Sequence, residues 1–333
     1  MSDTSAVVPG FGASHAIRIT LLGGLRVQTG QTVLGPRQLG GAKPRHLLIA
    51  LALARGLPLS KEHLVSLLWE GQRPVTCSAT IETYVCVLRK HLHLQGQVRG
   101  GPIQTQSGCY ALDMDHVDLD IVDIARLVER GLHPSVDPAT ALPLLRRALA
   151  SASVPLLSDE PRARWLDQVR AEHERLTSEW LVAAAEKVTA VAPVEAARWA
   201  RQALDADPLD EEAWYAYLHS MERSGRPAEG LRAYDRCRRL LADELGCAPG
   251  ERLQQLYARL LRQSATTDTD LEQLIDAVVR LHQATHDCEA AAGSTGARAG
   301  GPPLSVEQAR RTLSRLLRSA SEPRPRLIRT AGA

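Results

Sequence analysis

The sequence contains no Asn, a single Phe and only 4% aromatic residues across its 333 positions. Scarce aromatics beside abundant Ala and Leu argue against a large β-sandwich and for close helix packing. Lysine is nearly missing as well: four of the 40 cationic residues are Lys, at 43, 61, 90 and 187. Together with the absent Asn, that bias fits a GC-rich genome better than any structural demand. The six Cys (Cys77, Cys86, Cys109, Cys237, Cys247, Cys288) form no CxxC pair and no repeated spacing, and no signal-like or long apolar segment precedes them. Reduced thiols, a cytoplasmic location and no membrane association are therefore expected.

Motifs for catalysis are equally sparse. The stretch from Gly35 to Lys43 has glycines and a Lys, but its spacing is not that of a phosphate-binding loop, and Pro44 stands where a Ser or Thr hydroxyl would follow. ATPase or kinase chemistry thus has no support. Among 11 His and 6 Cys the best metal cluster is His282, His286 and Cys288, two His four residues apart with a nearby thiol, and it lacks a fourth ligand. The expectation is a protein with no enzymatic activity, no metal and no cofactor. A metalloenzyme would instead carry stoichiometric metal when purified.

What the chain does have is a partition of charge. Residues 17–113 hold 11 Lys/Arg against 4 Asp/Glu, a net of +7, and residues 114–263 hold 20 against 25, a net of −5, although the whole chain is only +2. A basic module joined to an acidic one is the electrostatic outline of a nucleic-acid-binding domain carrying a second domain. With 44% hydrophobic and 23% charged residues, the chain can bury substantial cores.

The basic module reads as a winged helix-turn-helix. IRITLL, LRVQT and TVL, broken by Gly23-Gly24 and Thr29-Gly30, predict a small antiparallel sheet after a disordered arm over residues 1–16. A first helix follows Gly40-Gly41 with Pro44 in its first turn, Leu47, Leu48 and Leu51 as core, and an end at Arg55-Gly56. Ser60 caps a second helix with Leu64, Leu67 and Leu68 as its stripe and Trp69 as a core anchor. In the third helix, Ser78 to Leu92, Ile81, Val85, Leu88 and Leu92 share one face while Ala79, Thr83, Cys86 and Lys90 point the other way. A helix that lies in a major groove needs that division. Ile103–Gln106 and Cys109–Leu112, joined by Ser107-Gly108, predict a hairpin wing.

Thr80, Thr83, Val87 and Lys90 are the candidate base contacts. Lys43, Arg45, Lys61, Arg89, Arg99, Thr105 and Gln106 are the candidate phosphate contacts. The loop before the third helix, with Glu70, Gln72 and Arg73, is expected to be exposed and available to a protein partner.

From Asp118 to Gln263 the periodicity is helical, and one register matches the 34-residue tetratricopeptide pattern. Placing Pro208 at the closing proline puts Ala196, Ala200 and Ala203 at small packing positions, and Trp214, Gly225 and Tyr234 at aromatic, turn and aromatic positions of the next repeat. Helix pairs of this kind cannot bury their apolar faces alone, so they stack into an array. Residues 264–333 hold two amphipathic helix candidates around a Gly-rich linker. The expected fold is mainly α: a winged-helix domain over 17–113 with a small sheet and wing, a tetratricopeptide-like all-α domain over 114–263, and a C-terminal extension.

LVSLLWEGQRPVTCSATIETYVCVLRKHL, the hairpin IQTQSGCYAL, DLDIVDIARLVERG and SGRPAEGLRAYDRCRRLLADELGCAPGERLQQLYARLLRQ together resemble the Streptomyces antibiotic regulatory protein family over about residues 17–263. The resemblance implies an OmpR-type winged helix followed by a bacterial transcriptional activation domain. It implies a pathway-specific activator of a secondary-metabolite gene cluster, bound to tandem direct repeats in double-stranded DNA as a homodimer and recruiting RNA polymerase holoenzyme at the nucleoid. Ser78 to Leu92 corresponds to the family's recognition helix and Glu70 to Cys77 to its loop toward polymerase. Gln106 stands where the family often has an Arg, which implies a weaker wing contact. The competing reading is a helical-repeat scaffold for protein binding, with the basic module only an unspecific DNA tether. Deleting residues 1–113 separates the two, because a scaffold would keep its partner and its effect.

Overall fold

A computed structural model describes residues 17–69, 71, 74, 76–92, 101–161 and 163–264. The chain enters through β1 (Ile17–Thr20), β2 (Arg26–Thr29) and β3 (Thr32–Leu34), an antiparallel meander in which Ile19 pairs with Val27 and Val27 with Leu34. Ile17, Ile19 and Val27 alternate inward, the period-2 pattern of a sheet with one buried face. The fourth strand comes from far along the chain. Val117–Leu119, named β7, pairs in parallel with β1, Ile17 against Val117 and Ile19 against Leu119, giving the order β3-β2-β1-β7. The helical run therefore starts at Asp120, after a strand that closes the N-terminal sheet.

Three helices form the next layer: α1 (Ala42–Leu53), α2 (Lys61–Leu68) and α3 (Cys77–His91). Every residue of α1 from His46 to Ala52 is buried, since α2, α3 and the sheets surround it. Pro44 sits in its first turn, where a missing N–H leaves no hydrogen bond broken. Ser60 ends the short strand β4 (Leu59–Ser60) and caps α2, its Oγ accepting from the His63 amide at 3.1 Å. β4 pairs with β6 (Cys109–Leu112), which pairs with β5 (Ile103–Gln106), so the wing hairpin is the outer part of a second sheet. Ser107 and Gly108, with φ of 48° and 80°, supply the left-handed pair that a two-residue hairpin turn requires.

The second half is helical: α4 (Asp120–Leu132), α5 (Pro138–Ala152), α6 (Arg164–Val188), α7 (Pro193–Ala206), α8 (Glu211–Arg223), α9 (Pro227–Leu245) and a last helix, α10, over 251–264. Asp137 and Asp210 cap α5 and α8 by accepting backbone amides of Ala139 and Thr140, and of Glu212 and Ala213. The residues of the repeat register sit at helix contacts and turns. Ala196, Ala200 and Ala203 are fully buried, which lets α7 approach its neighbours closely, while Trp214 and Tyr234 fill the same core. Gly225, at φ 67°, turns the chain between α8 and α9, and the Pro208 carbonyl accepts from Trp214 Nε1 at 2.9 Å. This is a winged helix followed by a tetratricopeptide-like helical array.

The two halves share structure beyond β7. The first core also takes in Leu156, Leu157, Trp165 and Leu166, so it reaches across the division expected at residue 113. Leu157 N donates to Leu21 O and Gly23 N to Pro155 O, both at 2.8 Å. Asp120, half-buried at the head of α4, accepts the amides of Leu21, Leu22 and Ile121, each at 2.9 Å. Helix α6, about 37 Å long at 1.5 Å per residue, has Trp165 and Leu166 in the first core and Leu181 to Val188 in the second.

Candidate nucleic-acid interface

Helix α3 is divided as its sequence pattern predicts. Ile81, Val85, Leu88 and Leu92 are buried against α1 and α2, and Ser78, Ala79, Glu82, Thr83, Cys86 and Lys90 are exposed. Thr80 and Val87 are half-buried on the flanks of that face. The hydroxyls of Thr80 and Thr83 donate to the carbonyls of Thr76 (2.9 Å) and Ala79 (3.1 Å), one turn back, so both keep a lone pair directed outward. The face is thus small, polar and, toward its C-terminal end, basic.

The cations around it differ in what they are free to do. Lys90 is exposed, and no partner holds it among the described residues. Lys43 lies over the Trp69 ring at 4.1 Å, and Trp69 stacks in turn on Tyr84 of α3. Lys61 meets Glu82 at 2.5 Å, and that hydrogen bond raises the Lys61 pKa. Glu82 is the one acidic residue on the outward face of α3, and the sequence reading missed it. It pairs with Lys61, whereas Lys90 stands exposed near the other end of that face.

Arg45 lies elsewhere. Its Nε donates to Glu160 Oε1 at 2.7 Å and its Nη1 to Gly40 O at 3.0 Å, with the side chain only 13% exposed. As an interior partner of a carboxylate 115 residues away, it is not available to a phosphate, and the expectation for Arg45 is corrected accordingly. Arg89 is likewise engaged. Its Nε and Nη2 both reach Ile103 O, at 3.0 and 2.8 Å, and Nη2 also reaches Thr105 Oγ1 at 2.7 Å. Rather than standing free for phosphate, Arg89 ties α3 to the wing strand and fixes the angle between them. Thr105 and Gln106 are exposed at the end of that strand, where Gln106 Nε2 donates to Gln104 Oε1 at 3.2 Å.

Arg99 and the loop candidates Glu70, Gln72 and Arg73 lie outside the described residues, as do His282, His286 and Cys288. Among the described residues no group of three His, Cys, Asp or Glu is arranged to hold a metal ion, and no helix is long and apolar enough to cross a membrane. Cys86 is exposed on α3, whereas burial pushes the Cys237 thiol up to about 12 and keeps it protonated.

Residues 118–261 match the bacterial transcriptional activator domain. The chain is 33% identical to the regulatory protein AfsR of Streptomyces griseus over 75% of its own length and 25% of that protein's. It is 29% identical to the regulatory protein DnrI of Streptomyces peucetius, over 74% of this chain and 92% of the relative. The chain belongs to the Streptomyces antibiotic regulatory protein family.

Within this family, the chain spans about a quarter of the AfsR proteins it matches but most of the transcriptional regulator RedD of Streptomyces coelicolor, at 29% identity over 79% of this chain and 75% of that one. The fold is also that of Mycobacterium tuberculosis EmbR, solved in complex with a low-affinity phosphopeptide, with a TM-score of 0.66 over 78% of this chain and 70% of that one at 24% identity. In this member of the family the winged helix, the wing and the helical array thus occur together, and the outward face of α3 is exposed beside the wing.

Proposed function

We propose that the protein is a sequence-specific transcriptional activator of a secondary-metabolite gene cluster, acting in the cytoplasm at the nucleoid. The observation that carries this reading is the division of α3, whose buried side is a complete apolar stripe and whose outward side presents Thr83, Cys86 and Lys90 beside an anchored wing. Lys90 is suited to a guanine edge, and Thr80, Thr83 and Val87 to bases or a thymine methyl, at about 1–3 kcal/mol of discrimination for a good bidentate pair. Lys43, Thr105 and Gln106 flank that face and are suited to phosphates. Two protomers head to tail on one face of the duplex read half-sites about one turn, roughly 10–11 base pairs, apart. The candidate contact with RNA polymerase is the segment from Glu70 to Cys77, as the family resemblance implies.

Selection of fragmented genomic DNA by the full-length protein at roughly 150 mM salt tests the reading, since phosphate-only binding fades there. The expected result is recovery of a few promoters that share a tandem direct repeat with one-turn spacing. Recovery of an inverted palindrome would rule out the head-to-tail arrangement. No enrichment at all would leave the helical array, and a protein partner of it, as the seat of function.

A further inference from the structure

Helix α6 joins two cores, and one face of its middle is only half-buried between them. Val169, His173, Leu176 and Trp180 recur at four-, three- and four-residue steps and share one face. All four line a cavity of about 500 Å³ between the winged helix and the helical array. Leu53, Leu59 and Leu67 line it from the winged-helix side, and Ile121 and Ile124 of α4 line it from the other. The volume lies within the ~300–1,000 Å³ typical of small-molecule sites, and so does the make-up of apolar walls with a few polar groups.

A smaller cavity of about 180 Å³ adjoins it, with Leu156 and His173 lining both. Thr177, 8% exposed, lines this second space, and its Oγ1 has no hydrogen-bond partner among the described residues; Ser178 Oγ is in the same condition. Buried hydroxyls are ordinarily paired, so an unpaired one beside an empty volume points to a group that completes it. His173 Nε2 lies 3.2 Å from Ala152 O, and burial lowers the ring's pKa, so the imidazole is neutral at neutral pH. With Nε2–H donating to that carbonyl, Nδ1 is left as an acceptor. The only full charges on the larger cavity, Arg55 and Glu172, are exposed at its rim and opposite in sign.

We propose that these two joined cavities bind a neutral, mostly apolar small molecule bearing a hydroxyl or carbonyl group, with the apolar body between α1, α2, α4 and α6 and the polar end at His173 and Thr177. Because its walls come from both halves of the protein, such a ligand holds the winged helix and the array in one relative position. Nile red, neutral, apolar and carrying a carbonyl, is a suitable probe for the full-length protein. One dye per chain should bind saturably, with blue-shifted emission and a raised unfolding temperature. Val169→Trp fills the larger cavity from α6, and Leu67→Trp fills it from α2; each should weaken dye binding at least about ten-fold with an unchanged far-UV spectrum. Thr177→Val, close to isosteric, should weaken binding about three-fold or more without lowering the unfolding temperature of the free protein, which a purely structural hydroxyl would do. Non-saturating dye uptake, or wild-type affinity in a folded Val169→Trp or Leu67→Trp protein, would overturn the proposal. None of these readouts involves DNA.

Discussion

Glu160→Ala should destabilise the protein by about 3–5 kcal/mol, measured as a shift of the urea midpoint at constant slope. The Glu160 carboxylate is fully buried and receives Arg45 Nε at 2.7 Å, while His46 Nε2 lies 3.6 Å from its other oxygen. Removing it strands a guanidinium that is only 13% exposed, and an uncompensated buried charge is what makes breaking such a pair expensive. Glu160→Gln keeps one acceptor for Arg45 and should lose less. The pH dependence has a definite sign. Burial pushes the Glu160 carboxyl up, but the nearby His46 ring and the hydrogen bond from Arg45 outweigh it and hold the carboxyl below its usual 4.5. The resulting stabilisation is fully present above that unfolded value and is lost as pH falls through the lower folded one. Wild-type protein should therefore lose stability more steeply than Glu160→Ala below about pH 4.5. Asp120 works the other way. Burial pushes it up, and the amides of Leu22, Leu21 and Ile121 only partly offset this, so its contribution declines as pH rises through the carboxylate range. The difference between wild type and variant isolates Glu160 from that opposing group.

Trp214→Ala should cost about 3–5 kcal/mol, and the loss should be local. The ring is buried in the second core, donates from Nε1 to Pro208 O, and packs edge-on to Tyr217 at 6.4 Å. In a stacked array each helix pair is supported mainly by its neighbours, so α8, α9 and α10 should lose amide protection while the first core keeps it. Trp214→Phe retains most of the buried area and loses the hydrogen bond, about 1 kcal/mol of the total. Hydrogen exchange read by mass spectrometry checks both. Uniform deprotection in Trp214→Ala would mean that the two cores unfold as one unit.

Much of this was legible in the sequence wherever the signal was local. The cap at Ser60, the turn at Ser107-Gly108, the stripe of Ile81, Val85, Leu88 and Leu92, and the register through Ala203, Pro208, Trp214 and Gly225 all depend on neighbours within a turn or a repeat. What escaped depends on partners far along the chain. β7 is three residues long and is a strand only because β1, 100 residues earlier, offers it a parallel edge. Arg45 reads as a surface cation at the start of a helix until Glu160 folds onto it. Lys61 reads as a cation with no partner of its own until the fold sets Glu82, one helix later, beside it. In each case composition counted the charge correctly, and only the fold decided whether it faced water, a carboxylate or a carbonyl.

The central claim is that the outward face of α3 reads DNA, and the most direct measurement is the affinity of full-length protein for its selected site across single-base variants, with Lys90→Ala and Thr83→Ala compared against wild type at several salt concentrations. Lys90→Ala is expected to flatten discrimination at one base position by about 1–3 kcal/mol. Thr83→Ala should act at a neighbouring position and leave the salt slope unchanged, since it removes no charge. Wild-type affinity and wild-type discrimination in both variants would place DNA recognition somewhere other than α3 and contradict the account.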